Sequence, residues 1–523
     1  KLTRFKPQHM ASSEQVIGGW ILIAIYALAI LFFVIRGALR TKSIQDYALG
    51  SVNFSPFFVG LSLAAAMTSA ATFVINPGLI AAYGWSAVLS FGIFFPVASL
   101  VSLVVLTKSF RKFGSNTKSM SLASWIGNKY QSKGYRIFIA LLSALLITFI
   151  VLILVAITKV ISNALNTNEV YTLLAVILFV FGYMMFGGAN SMVYTNTIQA
   201  VVMVIVAVIL LLSGYPYLKD GLGAFWGKLQ EIDPGLVNST YPASPLFRSF
   251  FEIVFVQMVV GAAVVCQPHI ITKSLLLKNE TDVNKFLVSA VIIQSLFYAV
   301  VLTGLYARLT FPDLTADGKA LGIDGIIPAY VVKVFSSGWF AIAVGLLVIM
   351  GLLSAGLSTI EGLIQSLSTT ITSDLIGTIF GSKIKGDHFI TINRLVIVMM
   401  AVASFLAARE QLLHPNLSVA IFAQNGVYSF FSINFVPIVF GIFVKNVSKQ
   451  TALTGSLTAL LVYFSIYYML PWLIRAQGIS VGYFDMYFGG KTQNPAIAAA
   501  LAIITASLAA ILVHLVGRKK LNH

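Results

Sequence analysis

Thirteen long apolar runs leave this chain few ways to fold. They fall at about 17–36, 54–80, 85–107, 135–160, 169–187, 189–214, 249–266, 285–309, 338–372, 391–408, 417–444, 452–474 and 495–517 of its 523 residues. Most are long enough to cross the roughly 30 Å hydrocarbon core of a bilayer. Inside that core only helices and closed barrels satisfy their own backbone, and a barrel would show short alternating segments instead. With 58% hydrophobic residues, 10% charged residues and a mean hydropathy of +0.91, the chain is expected to be an all-α polytopic membrane protein.

The net charge of +17 invites a nucleic-acid reading, but the placement of the charges argues against it. With the N-terminus outside and alternate loops inside, the inner segments gather most of the basic residues, among them Arg36, Arg111, Arg136, Lys273, Lys278, Lys385 and Arg518. The outer loop 310–337 is rich in aspartate instead, with Asp313, Asp317 and Asp324. The positive-inside rule therefore predicts a multi-pass protein of the cell (plasma or inner) membrane, N-terminus out and C-terminus cytoplasmic. One cysteine, Cys266, excludes an intrachain disulfide and a cysteine metal cluster. The chain begins at Lys1, and its start shows no cleavable signal pattern. No phosphate-binding glycine loop or nucleophile elbow is visible, so an enzyme is not expected.

The most informative stretch is GLLSAGLSTIEGLIQSLSTTITSDL, residues 351–375. It continues an apolar run from Trp339, yet Ala355, Ser358, Thr359 and Gly362 put small and hydroxyl groups on one helical side. Small residues at this spacing also serve plain helix packing. Glu361 stands mid-membrane, where a carboxylate costs at least a few kcal/mol without a partner or a water-filled cavity. A second stretch, LSLAAAMTSAATFVINPG (61–78), repeats the small residues and hydroxyls and is predicted to break at Asn76-Pro77-Gly78. Carbonyls freed at that depth are tolerated where they line a cavity or bind something.

Other features read more plainly. Span 17–36 looks like an accessory helix, and SLASWIGNKY within loop 108–134 reads as a short surface helix. Lys159 and Glu252 are expected to snorkel to the outer interface. His269, after Gln267-Pro268, reads as a solvated interfacial histidine, with nothing at metal-ligand spacing. Spans 54–80 and 249–266 are both interrupted, run in opposite directions and lie five spans apart. Paired interrupted segments of this kind point to the binding site of a secondary transporter built from inverted repeats. The expected divisions are 1–53 (outer N-terminus, accessory helix and linker), 54–248 and 249–448 (the two five-helix repeats), and 449–523 (two accessory helices).

These residues resemble the sodium:solute symporter family, from DYALGS near the start to GIFVK at 441–445, and most specifically at AGLST (355–359) and ITSDL (371–375). The resemblance is weakly nearest to the pantothenate and acetate members. It implies a LeuT-type 5+5 inverted-repeat core with Na+ as coupling ion. The implied sodium ligands are Ala355 (backbone), Ser358 and Thr359 (side chains), and Ala65 and Thr68 (backbone). Five neutral oxygens suit a small hard cation, and an unwound helix makes carbonyls available. The family's GG…WTD…Q signature appears here as Gly187-Gly188, Tyr194-Thr195-Asn196 and Gln199, so its aspartate has become asparagine. Glu361 falls where the family has a hydroxyl of a second sodium site. With Asn196 and Gly362 it would form a second cation or proton site, or else it is a structural carboxylate held by Asn196 or Gln199.

The same alignment implies that Ser69, Thr72, Phe91, Ala263 and Gln424 line the central cavity, although Gln424 would also suit ordinary interhelical bonding. No arginine or lysine is expected mid-membrane to neutralise an anion. CQPHIITK resembles the pantothenate and acetate members and hints at a small organic anion. The expected partners are thus that solute and the lipid bilayer, without nucleic acid, around a monomeric transport unit. Two alternatives stay open, a proton-coupled permease of the same fold and the transporter-like sensor portion of a signalling protein. The latter is less expected because the sequence ends at His523, soon after Arg518-Lys519-Lys520.

Overall fold

A computed structural model describes residues 13–51, 53–277, 279–316, 318–336, 338–384, 388–414, 419–490 and 493–521. The first twelve residues, Lys278, Asp317 and Lys385 fall outside them, so expectations placed there are not addressed. Among the described residues, 11 helices are long and apolar enough to cross a membrane, or up to 13 if each of two bent pairs is one span. These elements are α1 (Ser13–Ala38), α2 (Pro56–Met67 with Ala71–Tyr83), α3 (Trp85–Asn116), α4 (Lys133–Leu165), α5 (Glu169–Gly187), α6 (Ala189–Leu218), α7 (Phe251–Val264 with Pro268–Leu276), α8 (Asp282–Thr310), α9 (Trp339–Phe380), α10 (His388–Leu413), α11 (Ile421–Phe443), α12 (Lys449–Gln477) and α13 (Pro495–Gly517). All thirteen predicted spans are present. The bent elements, α2 and α7, open two successive sets of five, and each bends by 56°.

The bend in α2 lies earlier than Asn76-Pro77-Gly78. The first arm stops at Met67, and Thr68 leaves the helical region at φ −102°, ψ 89°. Helix resumes through a wide turn at Ala71–Ile75, and Pro77 then sits in the first turn of the following segment, where its missing N–H costs little. Gly78 has a packing role: a Cβ there would lie 2.1 Å from the Ile323 carbonyl oxygen. The helix Ile323–Val334 thereby rests directly on the second arm of α2. The bend in α7 falls where expected. Gln267 is extended (φ −82°, ψ 140°), and Pro268 starts the next segment.

α1 packs on α4, α5, α6 and α9, and Tyr26 Oη lies 3.1 Å from Ser354 Oγ of α9. Its other face, Ile17, Ile21, Leu28 and Phe32, is exposed and suits lipid. The predicted surface helix forms at Leu122–Lys129, but Leu122 to Gly127 are buried. Trp125 stacks on Phe110 at 4.8 Å and donates to the Phe110 carbonyl at 2.9 Å. An indole of that size is held inside because both its faces and its N–H find partners. α11, α12 and α13 pack together at the end of the chain.

Glu252 does not reach an interface. It is fully buried at the start of α7, held by Arg248 (Nη2 to Oε1, 2.7 Å) and by Asn494 Nδ2 at 3.1 Å. Lys159 pairs with Asp324 of the helix Ile323–Val334, bridging α4 to the element lying on α2.

Candidate functional site

The bend in α2 faces the AGLST turn of α9. The first arm ends at Met67; the Thr68 amide still donates to the Ala65 carbonyl at 3.2 Å, and the hydroxyls of α9 meet the carbonyls of that last turn as well. Ser358 Oγ stands 2.9 Å from the Ala65 carbonyl oxygen and 3.1 Å from that of Ala355. Thr359 Oγ1 stands 3.1 Å from the Ala66 carbonyl oxygen and 3.2 Å from that of Ala355. All five residues are buried. Consecutive hydroxyls on one helix thus meet consecutive carbonyls on another, with the Ala355 oxygen shared.

That set is neutral, compact and all oxygen, which fits a small hard monovalent cation. No group of three or more His, Cys, Asp or Glu among the described residues could hold a metal instead. Ala65, Ala355, Ser358 and Thr359 come together as anticipated, and Ala66 joins them. Thr68 turns its hydroxyl away to Gln294 Oε1 of α8, at 3.1 Å.

Two residues along α9, Glu361 lies inside a second buried cluster. Its Oε1 accepts from Tyr183 Oη at 2.6 Å and Gln199 Nε2 at 2.9 Å, and its Oε2 accepts from Thr195 Oγ1 at 2.5 Å. The Asn196 amide is assigned the orientation in which its nitrogen meets acceptors and its oxygen meets donors. Its Nδ2 faces Glu361 Oε2 at 3.1 Å and Gln199 Oε1 at 3.0 Å, and its Oδ1 accepts from Lys273 Nζ at 2.9 Å. Lys273 also donates to the Ser62 carbonyl at 3.0 Å and to Ser62 Oγ at 2.7 Å. At 3% exposure it is buried within the bundle, although it does not line the cavity described below. Its place just after a span end reads as a basic loop, but the second arm of α7 folds back against α2. Gly362 faces His269 and Ala66, which a Cβ on it would meet at ordinary contact distances of 3.4 and 3.8 Å.

A cavity of about 110 Å³ lies beside the α2 bend. Ser69, Thr72, Phe91 and Gln424 line it, as expected, together with Asn76, Phe149, Gln267, His269, Tyr298 and Tyr428. Ala263 is buried but is not part of the lining. Instead α7 contributes Val264, Gln267, His269 and Ile270, because its bend turns these residues inward. His269, at 2% exposure, is therefore not a solvated interfacial residue. Among the described residues, Gln267 Oε1 and His269 Nδ1 are buried without a hydrogen-bond partner. Such atoms mark places where a ligand can supply the missing bond.

The model of the sodium:solute symporter family matches residues 47–459. The chain belongs to that family. Sodium is the symporter's coupling ion, and its multi-span architecture places it in a membrane. Among similar proteins is a sodium/pantothenate symporter of Haemophilus influenzae, 26% identical over 430 residues, covering 80% of this chain and 84% of that one. A sodium/proline symporter of Staphylococcus aureus is 24% identical over 480 residues, covering 86% and 87%. The structure of a Na+-coupled sialic acid symporter in a substrate-bound outward-open state superposes with a TM-score of 0.73. It is 17% identical, with 94% of this chain and 98% of that one covered, so the likeness shows a shared LeuT-type fold.

Proposed function

We propose that this symporter carries a small organic carboxylate, with sodium held by the Ala65, Ala66 and Ala355 carbonyls and the Ser358 and Thr359 hydroxyls. The observation that carries this reading is the facing of two hydroxyls of α9 and two consecutive carbonyls at the end of the first arm of α2. On binding, an alkali ion replaces the hydroxyl hydrogens as the partner of those carbonyls, tying α2 to α9. The Thr68 carbonyl, next in the unwound stretch, completes the shell. The cavity begins at Met67 and Ser69, so a solute there would feel the ion's charge through only a few residues.

Among the described residues, no Lys, Arg, Asp or Glu lines that cavity. A dianion would be left uncompensated, whereas a single carboxylate is balanced by the bound sodium. Gln267 and His269 suit the solute's remaining donor groups, and Phe91, Phe149 and Tyr298 its apolar body. Pantothenate and proline, for which the relatives above are named, are both carboxylates. At about 110 Å³ the cavity is well below the roughly 300–1,000 Å³ of ordinary small-molecule sites. Loading therefore requires the flanking helices to part, as alternating access demands. The N-out, C-in orientation, the two five-helix repeats at 54–248 and 249–448, and a monomeric transport unit in the bilayer complete this reading.

Uptake of a panel of radiolabelled small carboxylates into proteoliposomes tests it. One member should accumulate under an inward sodium gradient at equal pH, and none under a pH gradient without sodium. Accumulation driven by the pH gradient alone would favour the proton-coupled alternative.

A further inference from the structure

The cluster around Glu361 lies outside both the sodium-binding turn and the cavity, and its geometry is complete without a metal. We infer that the ammonium of Lys273 is the resident cation of this second site, so that the transporter binds a single sodium ion. This rests on the reading of Ser358 and Thr359 as sodium ligands. Lys273 Nζ has three acceptors within 3.0 Å, Ser62 O, Ser62 Oγ and Asn196 Oδ1, which uses all three of its protons. Glu361 has four donors, from Tyr183, Thr195, Gln199 and Asn196. The amides of Asn196 and Gln199 face it with N–H groups, as suits an ionised carboxylate, which only accepts. A metal ion would have to displace these donors one by one.

The two charges meet through one side chain. Asn196 receives from Lys273 on its oxygen and gives to Glu361 from its nitrogen, so a buried ammonium and a buried carboxylate compensate each other across an amide. Either charge alone at that depth is strongly unfavourable, and removing one partner exposes the other. Placement gives the pair a second consequence. Ser62 lies one helical turn before Ala65 and Ala66, and Glu361 lies two residues beyond Thr359. Lys273 therefore anchors the second arm of α7 to α2 beside the sodium ligands, and a fixed charge there needs no ion to enter or leave during the cycle.

Sodium alone is the probe. Equilibrium binding of ²²Na+ to the purified full chain should give one ion per protein with a slope near one, and Ser358→Ala should raise its half-saturating concentration roughly tenfold. Lys273→Met, which keeps the length and removes the charge, should add a second ion per protein, and Lys273→Met/Glu361→Gln should return the count to one. Two ions in the wild type, falling to one in Glu361→Gln, would overturn the assignment. So would an unchanged single ion in a folded Lys273→Met. Should Lys273→Met fail to fold, recovery of folded protein in the double variant supports the pairing, and no recovery alongside a well-folded Glu361→Gln contradicts it. An unchanged sodium affinity in Ser358→Ala sinks the first-site reading, while the melting temperatures of the two single variants and the double still measure the charge pair.

Discussion

Ser358 and Thr359 were legible because hydroxyls at consecutive positions are out of place in a long apolar helix. Ala66 was not, since every residue carries a carbonyl and only the third dimension shows which ones face the hydroxyls of α9. Lys273 misled for a related reason: four residues after His269, at a span end, a basic residue normally faces water. Nothing in the sequence says that this arm turns back into the bundle. Two further residues make local predictions. Gly84 adopts φ +61°, and a Cβ there would lie 2.1 Å from the Leu236 carbonyl oxygen. Gly84→Ala should therefore lower the melting temperature, at a cost of about 1–3 kcal/mol, measurable in detergent by thermal unfolding.

Asp233, in the loop following α6, accepts from Tyr241 Oη at 2.6 Å and from the Gly235 amide at 2.7 Å. The Tyr241 hydroxyl, then the Gly235 amide, hold its carboxyl below the usual range, and the same bond pushes Tyr241 up to about 12. A depressed carboxyl contributes stability above its unfolded value of roughly 3.9 and loses it as pH falls through the folded value. Asp233→Asn should accordingly flatten the loss of thermal stability below about pH 4 relative to wild type, as read from melting temperatures across pH.

At the scale of elements, the two bent helices and their five-span offset were readable from apolar length and from glycine, proline and amide residues. Their bend positions were readable only in part. In α7 the proline starts the segment after the bend, so the signal and the break coincide. In α2 the wide turn at Ala71–Ile75 absorbs Pro77, and the break moves back to Thr68. The element lying on that arm makes its own prediction. Lys159 and Asp324 join α4 to the helix Ile323–Val334 while both stay partly exposed, so the pair adds at most about 1 kcal/mol. Asp324→Asn should barely change the melting temperature yet increase labelling of a cysteine placed at Ser69 by an impermeant thiol reagent. Equal labelling in both proteins would show that this contact does not help close the cavity.

For the whole molecule, the all-α class, the span boundaries and the family were carried by hydropathy and a handful of motifs. The lining of the cavity was carried only where a side chain projects from the α2 bend or from an unbroken span, as for Ser69, Thr72, Phe91 and Gln424. Ala263 failed because the bend, not the straight part of α7, is what faces inward. The account depends on sodium joining α2 to α9, and a sodium titration of thermal stability at constant ionic strength, with choline replacing sodium, tests that most directly. The melting temperature of wild type should rise with sodium. Ser358→Ala and Thr359→Ala should each raise the half-saturating concentration by roughly tenfold, equivalent to about 1.4 kcal/mol of lost binding. An unchanged midpoint in both variants would contradict the account.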